Sequence, residues 1–304
     1  MLNSYLEYLS AVRRYSQRTV RIYSEVLKEY FDFNPLPCDD PDCFTISRLR
    51  NYEVYLLDTK KEGARTVSLH LSVLSGYCRF LMKKGILASN PVRLVSRPKV
   101  QKRLPEFYRE QSMQEYFYST DDVMLSGDYD ARLSRMIIST LYNTGIRRSE
   151  LISLNIGSVD FERRVMHVRG KGDKSREIPL LPSFCEELLL YLQLSGIDLS
   201  SAPDAPLLRT PKGGRLYPVF VDRVIKRELA AVDGITVRKS PHVLRHTLAT
   251  ELLDEGADLN SIKELLGHSS LAATQVYTHN SIEKLRKVYN NAHPRAKNEN
   301  KNGD

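Results

Sequence analysis

Between residues 2 and 95 the apolar side chains recur at helical spacing, as in Leu2, Tyr5, Leu6 and Leu9 and later Leu69, Val73, Leu74, Tyr77, Phe80 and Leu81. Residues three and four apart share one face of an α-helix, so this stretch is constrained to amphipathic helices that bury their apolar stripes on one another. Four helices fit. Ser16 is placed to cap the second, which should run to about residue 31. The segment NPLPCDDPDC, residues 34–43, breaks the pattern with three prolines, and Gly85 closes the last long helix.

The helical pattern stops at SRPKVQKRLP, residues 96–105, which holds two prolines, four basic residues and little apolar content. That composition fits a linker. A chain of 304 residues is long for one core and suits about two domains. The expected division is a helical domain over 1–95, a basic linker over 96–106, a second domain over 107–295 and a polar tail over 296–304. Past the linker, helical periodicity returns over 109–119 and 130–143. VMHVRGKGDKSREIPL then alternates β-formers around a turn carrying two glycines and an aspartate, which predicts an antiparallel hairpin with an exposed tip. Further helices are expected at about 182–195, 218–232, 241–255, 258–266 and 281–291. The expected fold class is mainly α, a four-helix N-terminal domain followed by a mixed helical domain with a small antiparallel sheet or hairpin.

Charge adds a partner class. Lys and Arg number 45 against 37 Asp and Glu, a net charge of +8, and the excess is uneven, with 16 basic and 10 acidic residues in the first hundred against 29 and 27 in the rest. This suits a polyanion held mainly by the N-terminal part. No apolar run approaches the roughly 18 residues that cross a bilayer, so no membrane role is expected. Cys38, Cys43, Cys78 and Cys185 have neither the spacing of a zinc site nor the density of a disulfide scaffold. They read as reduced thiols in a cytoplasmic protein without a metal or cofactor.

Four segments carry candidate chemistry. In TGIRRSEL, residues 144–151, a glycine turns the chain, Ser149 and Glu150 suit a helix start, and Arg147 sits at the junction, where a guanidinium can grip a phosphate through parallel hydrogen bonds. In the hairpin tip RGKGDK, Lys171 stands between two glycines; the segment lacks the spacing of a nucleotide-binding P-loop. In PHVLRHTLATELL, residues 241–253, the leading proline starts a helix on which His242 and Arg245 share a face while Leu244, Leu248, Leu252 and Leu253 pack inward. In LLGHSSLAATQVYTH, residues 265–279, Gly267 ends a helix and frees His268, and Tyr277 follows. Each segment alone has an ordinary structural reading. Their joint, ordered occurrence, each in a setting that exposes the residue, raises the functional one.

Together these segments resemble the signatures of tyrosine site-specific recombinases, the integrase family. The resemblance implies Arg147 and Arg245 as phosphate-binding arginines, Lys171 as the hairpin lysine, His242 and His268 as the two histidines and Tyr277 as nucleophile. Residues 1–95 resemble the family's helical core-binding domain, and YTHNSIEKLRKVYNNAHPRA resembles the ending of its bacterial XerC and XerD subgroup. Departures fall off the implied catalytic positions: Leu248 stands where an aromatic is common, Glu251 where a histidine is frequent, and Ala272-Ala273 where hydroxyl residues are usual.

A phenol with a pKa near 10 costs about 4 kcal/mol to ionise at neutrality, so Tyr277 needs a base, for which His242 is the candidate. Two arginines and a histidine would hold the charge that grows on the phosphoryl oxygens, and Lys171 would protonate the leaving 5′-oxygen. The product would be a 3′-phosphotyrosyl linkage, formed without ATP or metal. The implied partners are a double-stranded DNA recombination site and a homo- or hetero-tetramer on two such sites, the 281–291 helix docking on a neighbour or on its own domain. A paralogous recombinase and a DNA translocase fit as further partners. Chromosome dimer resolution is the first expectation. A mobile-element integrase and a non-catalytic architectural DNA-binding protein stay open at this point.

Overall fold

The computed structural model describes residues 1–100, 105–170, 175–197 and 202–267, and near the C-terminus residues 286, 289, 292, 293 and 295. The chain divides into two compact units, Met1–Arg103 and Leu104–Asp304. No helix among the described residues is long and apolar enough to cross a membrane.

The first unit has four helical arms. Helix α1 (Leu2–Glu7) continues as a π-helical turn, Tyr8–Val12, and α3 (Ile46–Val54) continues likewise through Tyr55–Thr59. Between them runs α2 (Gln17–Phe33), capped as expected by Ser16, whose hydroxyl accepts from the Thr19 amide at 3.2 Å. The fourth is α4 (Ala64–Lys83), in which Val67, Leu71, Val73, Leu74, Tyr77, Phe80 and Leu81 are all buried. Leu69 points the other way and is exposed. Tyrosine supplies much of this core: Tyr5, Tyr30, Tyr52 and Tyr77 are buried, and the Tyr5 ring packs edge-on to Tyr77 at 5.0 Å. Their hydroxyls are partly used, as where Tyr52 pairs with His70 Nδ1 at 2.9 Å. Gly76 allows α1 to approach α4, because a Cβ there would meet the Tyr5 hydroxyl at 2.7 Å.

The second unit is built round α6 (Tyr129–Thr144), buried from Arg132 to its end. Its neighbours are α8 (Pro182–Leu194), α9 (Pro218–Glu228) and α10 (Pro241–Asp254), and the unit also holds α5 (Glu110–Ser119), α7 (Arg148–Ser153) and α11 (Leu259–Leu266). A helix buried on every side must satisfy its polar groups internally. Thr140 and Asn143 do so by donating one turn back to Met136 and Ser139, at 2.7 and 2.8 Å. Arg135 pairs with Glu187 of α8 at 2.7 Å, and Ser139 donates to the same carboxylate at 2.6 Å.

The expected hairpin is present as β2 (Val165–Arg169) and β3 (Ser175–Pro179), antiparallel, joined by a short β1 (Val159–Asp160) in the order β1-β2-β3. The pairing sets Val168 opposite Arg176 and Met166 opposite Ile178, all four on the buried face. Arg176 is the charged member of that face.

Two expectations need adjusting. Helix α9 stops at Glu228 rather than near 232. Leu253, expected to pack inward, is 49% exposed, because neighbours on a helix lie about 100° apart and Leu252 takes the inward direction. Of the segment expected to form a helix over 281–291, Arg286 and Tyr289 are described; Tyr289 and, beyond it, Ala292 pack into the core of their own unit.

Candidate active site

Helix α6 ends at Gly145, whose φ of +60° is the left-handed conformation that caps helices and suits glycine. Space demands glycine as well, since a Cβ would meet Leu266 at 2.7 Å and Leu248 at 3.0 Å. The same residue therefore turns the chain and admits the middle of α10 and the end of α11. Two positions on, Arg147 is the N-cap residue of α7, and its amide donates to Glu150 Oε2 at 2.8 Å. This is the helix-start role the sequence assigned to Glu150, and only part of what it does.

Glu150 is buried and lies between two guanidinium groups. Arg147 Nη1 donates to Oε1 at 2.8 Å; Arg176 reaches it from β3, Nη1 to Oε1 at 3.1 Å and Nη2 to Oε2 at 2.9 Å. Burial alone would raise this carboxyl, but Arg176 beside it and Arg147 behind it override that and hold it below the ordinary carboxylate range.

The arginines also share one helix end. The last carbonyls of an α-helix have no partner inside it and carry the negative end of its dipole. At the end of α11 three successive ones, the last that of its C-cap Gly267, are taken by arginines from three elements: Arg176 Nε donates to Leu265 O at 2.9 Å, Arg245 Nη2 to Leu266 O, and Arg147 Nη2 to Gly267 O at 3.0 Å. Arg245 also donates to Gly145 O. Three guanidinium groups thus gather at one helix end with a single carboxylate, which two of them hold, a local excess of positive charge suited to an anion. The Arg245 guanidinium is pushed down to about 10, first by burial and then by Arg147 and Arg176, so it remains charged at neutral pH.

Helix α10 brings the remaining described candidate. Ser240 caps it through the Val243 amide at 3.4 Å, Pro241 occupies its first turn, and His242 follows, exposed, one turn ahead of Arg245. The structure therefore gathers Arg147 and Arg245 at the end of α11 and sets His242 on the helix that carries Arg245. Arg245 itself is 8% exposed, contrary to the exposed setting expected, because it is turned onto two backbone carbonyls. Lys171, His268 and Tyr277 lie outside the described residues; the strands either side of Lys171 end at Arg169 and begin at Ser175.

Arg176 was missed by sequence reasoning. In SREIP it reads as one polar residue in an alternating strand, and only the partner 26 positions earlier gives it meaning. The available signal was its place: the register from the hydrophobic positions Ile178 and Val168 puts Arg176 on the inward face, where an arginine requires a partner.

The comparisons with known proteins bear on the same segments. The phage integrase family matches residues 120–284, and the phage integrase N-terminal SAM-like domain matches residues 2–85. Tyrosine recombinase XerC of Bacillus pumilus is 36% identical over 302 residues, covering 97% of this chain and 97% of the relative. A lambda integrase dimer bound to a COC′ core site shares the fold with a TM-score of 0.67 at 18% identity, over 91% of this chain and 98% of that one. A lambda integrase tetramer bound to a Holliday junction does so with a TM-score of 0.65 at 18% identity, over 91% and 79%.

Proposed function

Since the chain belongs to the phage integrase family and is a tyrosine recombinase that exchanges DNA strands site-specifically, we propose that it works in chromosome dimer resolution and that Tyr277 is its nucleophile. Tyr277 Oη attacks the scissile phosphorus as the P–O5′ bond breaks. The phenolic proton passes to His242, and Lys171 supplies a proton to the departing 5′-oxygen. The phosphodiester survives as a 3′-phosphotyrosyl link, and a 5′-hydroxyl from another strand reverses the step onto a new partner, so neither ATP nor a metal enters the balance.

The observation that carries this reading is the convergence of Arg147 and Arg245 on the end of α11 with a surplus of positive charge. An attacked phosphodiester gains negative charge on its non-bridging oxygens, and guanidinium groups already held in place stabilise it without reorganising at the moment of reaction. His268 follows Gly267 in the chain and is assigned as a further phosphate ligand.

DNA is gripped by both units: residues 1–95 carry the larger basic excess, residues 96–106 link them, and 107–295 hold the chemistry. Four protomers assemble on two sites, an arrangement suited by the likeness to a lambda integrase tetramer bound to a Holliday junction. The second protomer is a copy of this chain or a paralogous recombinase, and a DNA translocase is a fitting activator in the cytoplasm.

The test is direct. The wild-type chain selects a binding site from a pool of random-sequence duplexes, and a nick is placed near the scissile phosphate so that cleavage traps the covalent adduct. Wild type should form it and Tyr277→Phe should not. An adduct with Tyr277→Phe would remove Tyr277 as nucleophile.

A further inference from the structure

We propose that Arg176 is a positioning residue for strand cleavage, acting through Glu150 on Arg147 and through the end of α11 on the segment that leads to His268. The inference rests on the function proposed above.

Arg176 is 6% exposed, and all three of its side-chain nitrogens are engaged. Its planar fork lies edge to edge with Glu150, so both carboxylate oxygens are fixed rather than one. Glu150 in turn orients Arg147 through its side chain and its amide, and Arg147 spans to Gly267 O. The third nitrogen holds Leu265 O, two residues before Gly267. One side chain therefore ties the strand that follows the Lys171 tip, the helix start that carries Arg147 and the helix end that precedes His268. The fit is close, since a Cβ at Gly267 would meet Arg176 Cδ, Nε and Nη1 at 3.2 Å.

Lysine in this place keeps the charge and loses the fork. Its donors radiate from a single nitrogen and cannot hold both Glu150 oxygens edge to edge together with Leu265 O, leaving Glu150 free to rotate and Arg147 to follow it. Misplacement of a catalytic group by about 1 Å is enough to cost about 10²-fold in rate. A buried ion pair that only stabilised the fold would act differently, lowering the melting temperature and touching every substrate alike.

The experiment measures covalent adduct formation by full-length wild type and Arg176→Lys on the nicked duplex described above. It is repeated on a duplex whose scissile phosphate is a methylphosphonate. That group has a methyl in place of one charged oxygen and makes less demand on guanidinium placement. Arg176→Lys should bind DNA within about threefold of wild type and slow adduct formation on the phosphodiester by about 10- to 100-fold. On the methylphosphonate the gap to wild type should narrow to about threefold. Gly267→Ala is the second variant; it keeps every charged group, presses on Arg176 from the cap of α11 while straining that left-handed cap, and should show the same narrowing. An equal loss on both substrates, or a normal rate on the phosphodiester in either folded variant, overturns the proposal. Failure of wild type to form an adduct on either duplex would instead overturn the proposed function, and this inference with it.

Discussion

Arg147 and Arg245 donate to the carbonyl oxygens of consecutive residues, Gly267 and Leu266, although they lie 98 positions apart on different helices. Their burial differs. The Arg147 side chain is 36% exposed, whereas Arg245 is buried and also serves Gly145 O. Replacing either by alanine should slow adduct formation by about 10²-fold or more, because each removes a donor from the developing charge. Their stability costs should separate. Arg245→Ala leaves two buried carbonyls unpaired, at about 1–3 kcal/mol each, and should lower the urea midpoint clearly more than Arg147→Ala. Equal midpoints in the two variants would contradict the assignment of Arg245 as a structural bridge as well as a phosphate ligand.

Glu150 makes a pH prediction. Arg176 and Arg147 hold its carboxyl below the ordinary value despite burial. A carboxyl depressed in the folded state contributes stability that is fully present above its unfolded value and is lost as pH falls through the folded one. Glu150→Gln should therefore cost about 3 kcal/mol near neutrality, as expected when a buried pair loses one partner. The gap to wild type should close as pH drops below the usual carboxylate range, because protonation removes the same charge in the wild type. Urea unfolding at neutral and acidic pH measures the gap; one that stayed constant would show that charge is not what Glu150 supplies.

What the sequence discloses divides along physical lines. Helices with a one-sided apolar stripe, such as α4, and turns marked by glycine or proline, such as Gly145 and Pro241, are local properties and legible from spacing. The pairing of His242 and Arg245 on one helix is legible for the same reason. The α6 helix is different: its polar Arg135, Ser139 and Asn143 are all buried, because their partners come from α8 and from α6's own previous turn, which spacing alone does not disclose. Arg176 and the second role of Glu150 were hidden likewise, since a buried ion pair is a property of two distant segments. The tyrosines give the converse lesson. Most of those described pack in cores, and composition alone does not distinguish Tyr277 from them.

Within the second unit Arg295 is tied to α6 and α8. Its Nη1 donates to Ser139 Oγ at 3.1 Å and to Glu187 Oε2 at 3.2 Å, and its guanidinium lies 4.4 Å from the centre of the Phe117 ring. Burial would raise Glu187, and Arg295 and Arg135 together hold it low. Because Arg135 and Ser139 stay on Glu187 when Arg295 is removed, Arg295→Ala should leave α6 intact and loosen the packing of Tyr289 and His293. Hydrogen exchange should quicken at least about tenfold at Tyr289, Ala292 and His293 while Thr140 and Thr144 stay protected, the behaviour of a locally opening unit. Uniform quickening across both regions would show that Arg295 supports the whole domain.

Glu251, where the family frequently has histidine, is 8% exposed, and among the described residues neither carboxylate oxygen has a hydrogen-bond partner. Burial pushes its carboxyl up to about 8, Glu110 and Asp254 add to the rise, and the Tyr142 hydroxyl nearby pulls against it. The sign follows from where the proton resides. In the folded chain the acid keeps its proton until about pH 8, whereas in the unfolded chain it ionises near 4.5, so folding takes up a proton between those values. Stability must then fall as pH rises through that window, with the full penalty above it. Glutamine has nothing to ionise and escapes the penalty. Glu251→Gln and wild type should unfold at similar urea concentrations at pH 5. At pH 9 the variant should be the more stable by at least about 1.4 kcal/mol, the worth of a single pKa unit. The same difference at both pH values would mean that Glu251 is solvated or paired in solution and that its departure from the family pattern carries no cost.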